Sequence, residues 1–474
     1  MEPADLRLLT LNCWGLKYIS KLRPERLSEI GHRILSLPNP PHIVALQECW
    51  VTSDYDSIRT TLAPILPHAK FYYSGPFGGG LAILSKWPIL ESSMHRYPLN
   101  GRPTAFWRGD WYVGKGIACA RIRIRVGDGD DVREQTLSIF NTHTHSPYTE
   151  NQPGDSYLAH RLAQSWEMSK LLRAAAERGH LVLAMGDFNM RPLTLPHRII
   201  TAHAPVRDAW RALHPDSSLG AAEDALEKAR GRPPPTAEFN LLENGATSDG
   251  SFNTWRWPAE LQKKLGPGNE PIVIPPDTID RKGKRLDYVF FGGPLDADGA
   301  GWVVREAQVG MVEPHPTLGC SLSDHFSVEA TLTYCSPTAA SRRDSNVSAQ
   351  LEPILPQDLT LSSAEYDEIL SVTREYVQRE EKQRYWRGVH FFAWFAVLIG
   401  CLMGVWWSPH NFVAFILMLL SSFGLVAGVI DGLMSLLFFN TELRALNEFE
   451  WEITNVKARA QRNSTESGKR DKPF

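Results

Sequence analysis

The sequence predicts an α/β or α+β sandwich that is followed by a hairpin of two transmembrane helices. Short apolar runs recur between glycine and proline residues over positions 1–334, and helix-like stretches such as 161–179 separate some of them. Two long runs without charged residues lie close to the C-terminus. With 474 residues, the chain can form one large domain or two to three ordinary ones.

The soluble part is predicted to end at residue 334. Its apolar runs include LRLLTLNCW, HIVALQE, IACARIRIRV and LVLAMGDFN, and each is short enough for a strand. Residues 212–280 are rich in proline, glycine and charge, which predicts a loop-rich insertion. The serine-, proline- and alanine-rich residues 335–361 predict a linker. The charged, proline-free segment 362–387 then predicts a helix that leads into the membrane.

The region 388–439 is predicted to hold two transmembrane helices, at about 388–407 and 412–432. Each run is long enough to cross a bilayer as a helix, and only a short turn connects them. Their apolar residues occupy all faces, which argues against a buried helical pair in a soluble domain. Asp431 either caps the second helix at the interface or faces the first helix.

Lysine and arginine flank the outer ends of this hairpin and are absent from its turn. The positive-inside rule therefore places the sandwich and the tail of residues 440–474 in the cytosol. The N-terminus lacks a basic start followed by an apolar core, so no signal peptide is expected. An endoplasmic reticulum or mitochondrial membrane is the expected location. Six widely spaced cysteines suit reduced core thiols.

Polar side chains stand at the ends of the apolar runs, where functional groups are often mounted on a rigid scaffold. Each one alone fits an ordinary loop or turn residue. As a set they do not suit a closed zinc site, but they do suit one Mg²⁺ ion with water and a substrate phosphate. The implied chemistry is metal-assisted hydrolysis of a phosphate ester. The candidates are Asn12, Gln47, Glu48, His143, His145, Asp187, Asn189, Asp287, Asp324 and His325.

The motifs LNCWG, LQE, NTH, GDFN, LDY and SDHF occur in this order over residues 8–330. Together they resemble the endonuclease/exonuclease/phosphatase superfamily, which implies a four-layered α/β sandwich like that of DNase I. The stretches TLNCWGLKYISKLRPERLSEI, QECWV and GDWYVGKG resemble neutral sphingomyelinases in particular. The length and the paired C-terminal spans resemble the fungal inositol phosphosphingolipid phospholipases C.

This resemblance implies the metal-binding and proton-transfer roles. Glu48 is expected to hold Mg²⁺, which Mn²⁺ could replace, and Asn12 to contact the metal or the phosphate. Asp324 is expected to support the metal shell. His325 is implied as the general base that takes a proton from water, with Asp287 hydrogen-bonded to it to fix its tautomer.

The same resemblance implies the residues that handle the phosphate. Asp187 is expected to orient the reacting water or the phosphate, and Asn189 to donate a hydrogen bond to a phosphate oxygen. His143 is expected to stabilise the charged phosphorus centre and to protonate the leaving group. His145 lies outside the matched motif and is expected to be a structural histidine.

The stretch RGDWYVGKGIACARI contains Gly109, Gly114 and Lys115 at the spacing of a Walker A phosphate loop. Gly116 stands where that loop needs serine or threonine, and the alternating residues beyond it predict a strand instead of a helix. A nucleotide site is therefore not expected. Similarity to the sphingomyelinases implies that Asp110 and Lys115 form a regulatory switch; the alternative is a glycine-rich hairpin with a surface lysine.

The favoured hypothesis is a membrane-anchored, Mg²⁺-dependent phospholipase C that converts a sphingolipid into ceramide and a phosphorylated head group. The expected partners are the membrane sphingolipid and anionic phospholipids near the C-terminal spans, without nucleic acid or nucleotide. The two spans and the net charge of −3 argue against a nuclease of this fold, and the intact polar set argues against a non-catalytic membrane scaffold. Another metal-dependent phosphoesterase of the same fold stays an alternative. Both phosphoinositol and phosphocholine remain open as head groups.

Overall fold

The computed structural model describes residues 5–126, 133–148, 155–270, 272–297, 299–335, 345–354 and 359–470. The chain divides into two compact units. The first comprises Met1–Asn100 and Tyr112–Leu361, and the second comprises Gly101–Trp111 and Ser362–Phe474.

Two β-sheets form the centre of the first unit. One has the strand order β11-β12-β1-β2-β4-β3, and the other has the order β5-β6-β7-β8-β10-β9. The described strands are β1 (Asp5–Asn12), β2 (Ile43–Gln47), β3 (His68–Tyr72), β4 (Leu81–Ser85), β5 (Glu91–Arg96), β6 (Gly116–Val126), β7 (Arg133–His143), β8 (Leu181–Asp187), β9 (Arg207–Asp208), β10 (Asp287–Gly292), β11 (Gly301–Gly310) and β12 (Ser327–Cys335).

The helices of the first unit lie outside the sheets or in the connections between strands. Its described helices are α1 (Arg23–Leu35), α2 (Thr52–Leu62), α3 (Leu158–Ala176), α4 (Leu195–His203), α5 (Ala209–Leu213), α6 (Ala225–Lys228), α7 (Ala237–Leu242), α8 (Ala259–Gln262) and α9 (Ser345–Gln350). The segment 212–280 contains α6 to α8 joined by loops, with buried polar side chains such as Asn253. Helix α9 lies within the predicted linker, and its Val347 packs with Val303 and Cys335.

The apolar side chains divide into layers that confirm the predicted four-layered, DNase I-like α/β sandwich. One core joins the facing sides of the two sheets, for example Leu8 and Ile83 with Ile122 and Leu183. A second core lies between the first sheet and α1 and α2, and a third lies between the other sheet and α3 and α4. Each fully buried leucine or isoleucine contributes about 1.5–3 kcal/mol through the hydrophobic effect.

Strand β6 shows how the sequence pattern produces these layers. Its isoleucines Ile122 and Ile124 are buried, whereas Arg123 and Arg125, which alternate with them, are exposed. Successive side chains of a strand point to opposite faces, so the alternation turns one face to the core and the other to solvent. The strand predicted after Lys115 is confirmed, and no helix begins there.

The two sheets bring several strand ends to one edge of the sandwich. Strands β1 and β2 are parallel, as are β7 and β8, so the carboxyl ends of each pair lie side by side. Strand β10 is antiparallel to β8, and β12 is antiparallel to β1. The starts of β10 and β12 therefore lie beside the carboxyl ends of β8 and β1.

Helices dominate the second unit. Its long helices are α10 (Ser363–Val405), α11 (Asn411–Leu433) and α12 (Phe439–Arg470), and the π-helical turn Met434–Phe438 joins α11 to α12. Ser362 and Glu365 form a capping box at the start of α10, which satisfies backbone N–H groups that the helix leaves unpaired. The predicted membrane-proximal helix and the first predicted span form the single helix α10.

Two described helices are long and apolar enough to cross a membrane, and most of their apolar side chains are exposed in this chain. Asp431 of α11 contacts Arg387 and His390 of α10, so this carboxylate faces the first helix. Gly424 and Gly428 leave room for the ring of Trp394 against α11. These contacts hold the two helices together as a hairpin.

Candidate active site

The predicted site residues of the first unit converge at the shared edge of the two sheets. Asn12 ends β1 and Glu48 directly follows β2. On the second sheet, His143 is paired with Asp187 across β7 and β8, and Asp187 is paired with Asp287 across β8 and β10. Side chains that are far apart in the sequence are therefore neighbours in space.

His325 precedes β12 and is held by a buried hydrogen-bond relay. Its Nδ1 lies 2.8 Å from Oδ2 of Asp287, and the hydroxyl of Thr247 donates to the same oxygen at 2.6 Å. Its Nε2 lies 3.9 Å from Oδ2 of Asp187. Because a carboxylate accepts the Nδ1 proton, the neutral ring presents Nε2 as a proton acceptor on the Asp187 side.

Burial and charge shift the pKa values of His325 and Asp187 together. Burial lowers the pKa of His325, but the carboxylates of Asp287 and Asp187 outweigh it and raise this pKa well above its usual value. Burial raises the pKa of Asp187 to about 7, against the opposing charge of His325. Proton-transfer groups with strongly shifted pKa values are typical of catalytic sites.

Asn12 links the carboxylates of the two sheets. Its amide nitrogen donates to Oε1 of Glu48 at 3.2 Å and to Oδ2 of Asp187 at 3.0 Å. Its own oxygen accepts from the backbone N–H of Trp14 at 3.0 Å, which fixes the orientation of the amide. Asn12 therefore positions both acidic groups, in addition to any contact with metal or phosphate.

The second carboxylate oxygen of Glu48 is buried and has no hydrogen-bond partner within the described residues. The pKa of Glu48 is raised, mainly by burial and further by the neighbouring Asp324. A buried carboxylate oxygen without a hydrogen-bond donor fits coordination of a cation. The oxygen-rich surroundings suit a hard divalent ion such as Mg²⁺.

The backbone turns sharply where Glu48 enters the site. Glu48 has a positive φ of 51°, which a non-glycine residue rarely adopts. Gly15 donates its N–H to the Glu48 carbonyl at 3.0 Å, and a Cβ on Gly15 would lie 2.3 Å from that oxygen. The glycine of the motif LNCWG is therefore required for this close approach. Such backbone strain is often found at functional sites.

Lys115 also lies in the site, where it contacts His143. Its Nζ is 3.2 Å from Nε2 of His143 and donates to the Thr144 carbonyl at 2.9 Å. Nε2 of His143 is in turn 3.5 Å from Oδ2 of Asp187 and 4.0 Å from Oε1 of Glu48. Because Lys115 is buried, the alternative of a surface lysine is wrong.

The remaining predicted residues surround this centre or lie apart from it. Asn189 donates its backbone N–H to Oδ1 of Asp187 at 2.9 Å and its side-chain amide to the Thr144 carbonyl at 3.1 Å. Asp324 is half-buried, with Oδ2 3.9 Å from Arg256. Asp110 belongs to the segment Gly101–Trp111 of the second unit, and its pairing with Lys115 stays a prediction.

His145 is fully buried beside α3. Its ring lies against those of Tyr157 and His160, with centroids 5.3 and 5.6 Å away. Its backbone N–H donates to the side chain of Gln164 at 3.1 Å. These contacts agree with the structural role expected for His145.

Sequence reasoning missed Thr247, Arg26 and the contact of Lys115 with His143. Thr247 lies within the segment 212–280, which has no periodic pattern that could single out one residue. Arg26 is fully buried in α1, where a charged residue in an amphipathic helix normally predicts exposure. Its guanidinium donates to the carbonyls of Trp14 and Leu322 at 2.9 and 2.6 Å.

Asp187, Asp287 and His325 offer three ligand atoms that all lie within 4.8 Å of one another, a group that could hold a divalent ion. Oδ1 of Asp287, like the second oxygen of Glu48, is buried without a hydrogen-bond partner among the described residues. The acidic side chains at this edge therefore suit a divalent cation, and the Asp287–His325 pair suits proton transfer.

The fold and this set of side chains define a phosphoesterase of the DNase I-like class. The chain belongs to the endonuclease/exonuclease/phosphatase family, whose sequence model matches residues 9–325.

Two fungal proteins are similar over almost their whole length. The inositol phosphosphingolipids phospholipase C of Schizosaccharomyces pombe is 38% identical over 461 residues, which cover 96% of this chain and 95% of that protein. The protein of the same name from Saccharomyces cerevisiae is 33% identical and covers 96% of this chain and 91% of its own length. Human sphingomyelin phosphodiesterase 2 is 34% identical over 205 residues, 43% of this chain and 46% of that protein.

Proposed function

We propose that this protein is a Mg²⁺-dependent phospholipase C that hydrolyses the head-group phosphodiester of inositol phosphosphingolipids or of sphingomyelin. The products would be ceramide and a phosphorylated head group. The observation that carries this proposal is the orientation of His325, whose Nδ1 is held by Asp287 while Nε2 faces Asp187. Similarity over 96% of the chain to two inositol phosphosphingolipids phospholipases C supports the choice of substrate.

His325 would start the reaction as the general base. Its Nε2 takes a proton from a water molecule, and the oxygen of that water forms a bond to phosphorus. Asp187 and Asn189 orient the water and the phosphate, and Lys115 contributes positive charge beside His143. The ring of His325 stays fixed throughout because Asp287 holds its other nitrogen.

His143 would complete the reaction as the general acid. The bond between phosphorus and the ceramide oxygen breaks, and that oxygen receives a proton from the imidazolium form of His143. The ring of His143 faces the centre of the site, with Nε2 3.5 Å from Oδ2 of Asp187. His143 ends β7 and His325 precedes β12, so the two histidines approach Asp187 from different segments of the chain.

Glu48 would hold the Mg²⁺ ion through its buried oxygen that lacks a hydrogen-bond donor. When bound, the ion supplies positive charge that polarises phosphate oxygens and lowers the pKa values of neighbouring groups. Asn12 and Asp324 would support this carboxylate, the first through the hydrogen bond to Glu48 Oε1.

The helical hairpin would keep the enzyme at the membrane that contains its substrate. We place the sandwich and the tail of residues 440–474 in the cytosol, because positive charge flanks the outer ends of the hairpin. Anionic phospholipids would be attracted to the same positive flanks. In sealed microsomes, an added protease should digest both parts, and protection of either part would contradict this topology.

Asp110 and Lys115 would act as a pair that controls the loop between them. The double exchange Asp110→Lys with Lys115→Asp tests such a pair against its two single charge reversals. A pairing switch predicts that the double variant regains part of the turnover that either single reversal loses. Failure to regain any activity would instead indicate that Lys115 acts only through His143 and the phosphate.

The reaction is tested by a substrate panel with the purified full-length chain in lipid vesicles. Labelled inositol phosphosphingolipid and sphingomyelin are offered with Mg²⁺ and then with a chelator, and plasmid DNA serves as the competing substrate. We expect ceramide and phosphorylated head group in the presence of Mg²⁺, and no nicking of DNA. Nicking of DNA without release of head group would contradict the proposal and show that the protein acts as a nuclease.

A further inference from the structure

Two loops of the first unit present large apolar side chains to solvent beside the active site. In residues 16–22, between β1 and α1, Tyr18 is 90% exposed and Ile19 is 71% exposed. In residues 73–80, between β3 and β4, Tyr73 and Phe77 are 72% and 67% exposed. Single exposed apolar residues are ordinary, but clusters of them mark interaction surfaces. We call these two loops the rim.

Backbone hydrogen bonds join the ends of both rim loops to Glu48 and to its neighbour Cys49. The first loop follows Gly15, whose N–H donates to the Glu48 carbonyl at 3.0 Å. The second loop ends at Gly80, whose carbonyl accepts from the N–H of Cys49 at 3.0 Å. Both loops therefore border the carboxylate that we propose as the metal ligand.

Arg26 fixes the shape of the first loop. Its buried guanidinium donates to the carbonyls of Lys21 and Trp14 at 2.8 and 2.9 Å, and it lies 4.7 Å from the centre of the Trp14 ring. These contacts hold the backbone on both sides of Tyr18 and Ile19. The apolar side chains are thus presented to solvent on a fixed loop, which lowers the entropy cost of docking.

The second loop is supported by the segment that directly precedes Lys115. The N–H of Gly114 donates to the Gly78 carbonyl at 2.8 Å, and the ring of Phe77 lies 6.3 Å from that of Tyr112. A Cβ on Gly75 would lie 2.6 Å from the nitrogen of Gly114, so the two backbones are in close contact. The exposed aromatic residues of this loop are therefore also held near the site.

The charge of the first loop indicates the kind of partner. Lys17 and Lys21 flank the apolar pair and are both exposed, whereas residues 16–22 contain no acidic residue. Tyrosine and isoleucine between lysines suit the boundary between lipid chains and negatively charged head groups. A lysine near an anionic membrane surface is attracted to the negatively charged head groups.

We propose that the rim inserts into the head-group region of a bilayer that contains anionic phospholipid. This contact would bring the mouth of the active site against the lipid surface from which the substrate is taken. The inference rests on the proposed function for its purpose, but insertion itself is measured without any catalysis. A protein partner at the same loops is the alternative occupant.

The direct test measures the depth of one residue in the membrane. Ile19→Cys and, as a matched control, Leu90→Cys are labelled with an environment-sensitive dye in the full-length chain. Leu90 is 56% exposed. It follows β4, which starts at the edge of the sheet that holds the active site and ends at the opposite edge. Unsubstituted chain treated with the same dye corrects for labelling of the native cysteines.

In vesicles of phosphatidylserine and phosphatidylcholine whose chains carry bromine, the dye at position 19 should be quenched at least threefold more than the dye at position 90. Quenching should fall in pure phosphatidylcholine and in a variant that also carries Lys17→Glu and Lys21→Glu. Equal quenching at both positions would overturn the proposal, as would an unquenched dye at position 19.

Activity gives a second, independent measurement. Tyr18→Ala with Ile19→Ala should lower hydrolysis of sphingolipid in vesicles about tenfold and leave hydrolysis of a short-chain, water-soluble analogue unchanged. Leu90→Ala should change neither. Equal losses on both substrates would mean that the loop shapes the site and does not dock. If the unsubstituted chain inserts into the membrane but hydrolyses neither substrate, the proposed function is rejected, whereas membrane docking by the rim still holds.

Discussion

Two buried networks of aspartate and histidine include aspartates of the second sheet, and they differ in how their charge is balanced. In the first network, Asp208 accepts two hydrogen bonds from Arg285 at 2.9 and 2.8 Å and lies 3.1 Å from Nε2 of His197. The same carboxylate accepts from the backbone N–H of Trp210 at 3.1 Å and so caps α5. Its negative charge is neutralised within the chain.

The second network contains Asp187, Asp287 and Glu48 with the two histidines of the active site. Here Asp187 contacts the two imidazole rings and the amide of Asn12, and carboxylate oxygens of Glu48 and Asp287 have no hydrogen-bond partner in the described part of the chain. We propose that a cation and a phosphate from outside complete this network. On that proposal, the first network stabilises the fold, and the second binds the substrate and takes part in the reaction.

The pKa shifts of the two aspartates show the same contrast. Burial favours the neutral acid in both. At Asp208, the guanidinium of Arg285 outweighs burial and holds the pKa well below its usual range. At Asp187, burial prevails and raises the pKa to about 7. Aspartates on the same sheet thus differ according to whether an arginine lies beside them.

The largest expected effect separates the histidines of the two networks. His325→Ala should lower turnover about 10²–10⁴-fold through loss of the general base, with little change in the unfolding midpoint. His197→Ala is the matched control, and it should lower the unfolding midpoint while the folded protein keeps its turnover. Turnover and denaturant unfolding of both variants measure this. Comparable losses of turnover in the two variants would contradict the distinction between a structural and a catalytic network.

Glu48→Gln should have the next largest effect on turnover, because it removes the charge that we expect to hold the metal ion. Binding of Mn²⁺ as a reporter for Mg²⁺, measured by electron paramagnetic resonance, should weaken at least tenfold, and turnover at low Mg²⁺ should be lost. The amide keeps the shape of the side chain, so the unfolding midpoint should change little. Unchanged Mn²⁺ affinity would assign the ion to other residues.

Asp287→Asn should reproduce much of the His325→Ala loss, because an amide that turns its N–H₂ toward Nδ1 no longer fixes the ring. Thr247→Val removes the other donor to the same carboxylate and should have a smaller effect, of about tenfold or less. Both variants should lower kcat at nearly constant KM, and the loss should be larger for Asp287→Asn than for Thr247→Val. A harmless Asp287→Asn would show that the pairing does not position the base.

The smallest effect on catalysis is expected from the first network. Arg285→Met leaves Asp208 buried without its main partner and should lower the free energy of unfolding by about 3–5 kcal/mol. The kcat of the protein that remains folded should stay within about twofold of the unsubstituted value. Denaturant unfolding gives the free energy of unfolding, and turnover divided by the amount of folded protein gives kcat. A selective loss of kcat would place Arg285 in the catalytic machinery.

Much of the fold could be predicted because its physical causes are local. The alternation of isoleucine and arginine in β6 specifies a strand with one buried face, and the apolar runs of α10 and α11 specify long exposed helices. Asn12, His143, Asp187 and Asp287 could be grouped because they lie at the ends of apolar runs. The topology then brings those ends to one edge.

The missed residues depend on long-range contacts that no local pattern encodes. Thr247 reaches Asp287 across forty positions, from a segment without periodicity. Arg26 resembles an ordinary surface residue of α1 until the carbonyls of Trp14 and Leu322 surround it. Lys115 resembles part of a phosphate loop, and only the pairing of β6 with β7 brings it to His143. Such contacts follow from the completed fold.

The most direct test of the central claim is hydrolysis of the sphingolipid in water enriched in ¹⁸O. If His325 activates water for attack on phosphorus, mass spectrometry should find one ¹⁸O atom in the phosphorylated head group and none in the ceramide. His325→Ala should lower the rate of formation of both products about 10²–10⁴-fold. Incorporation of ¹⁸O into ceramide, or release of phosphorylated ceramide with a free head group, would contradict the account.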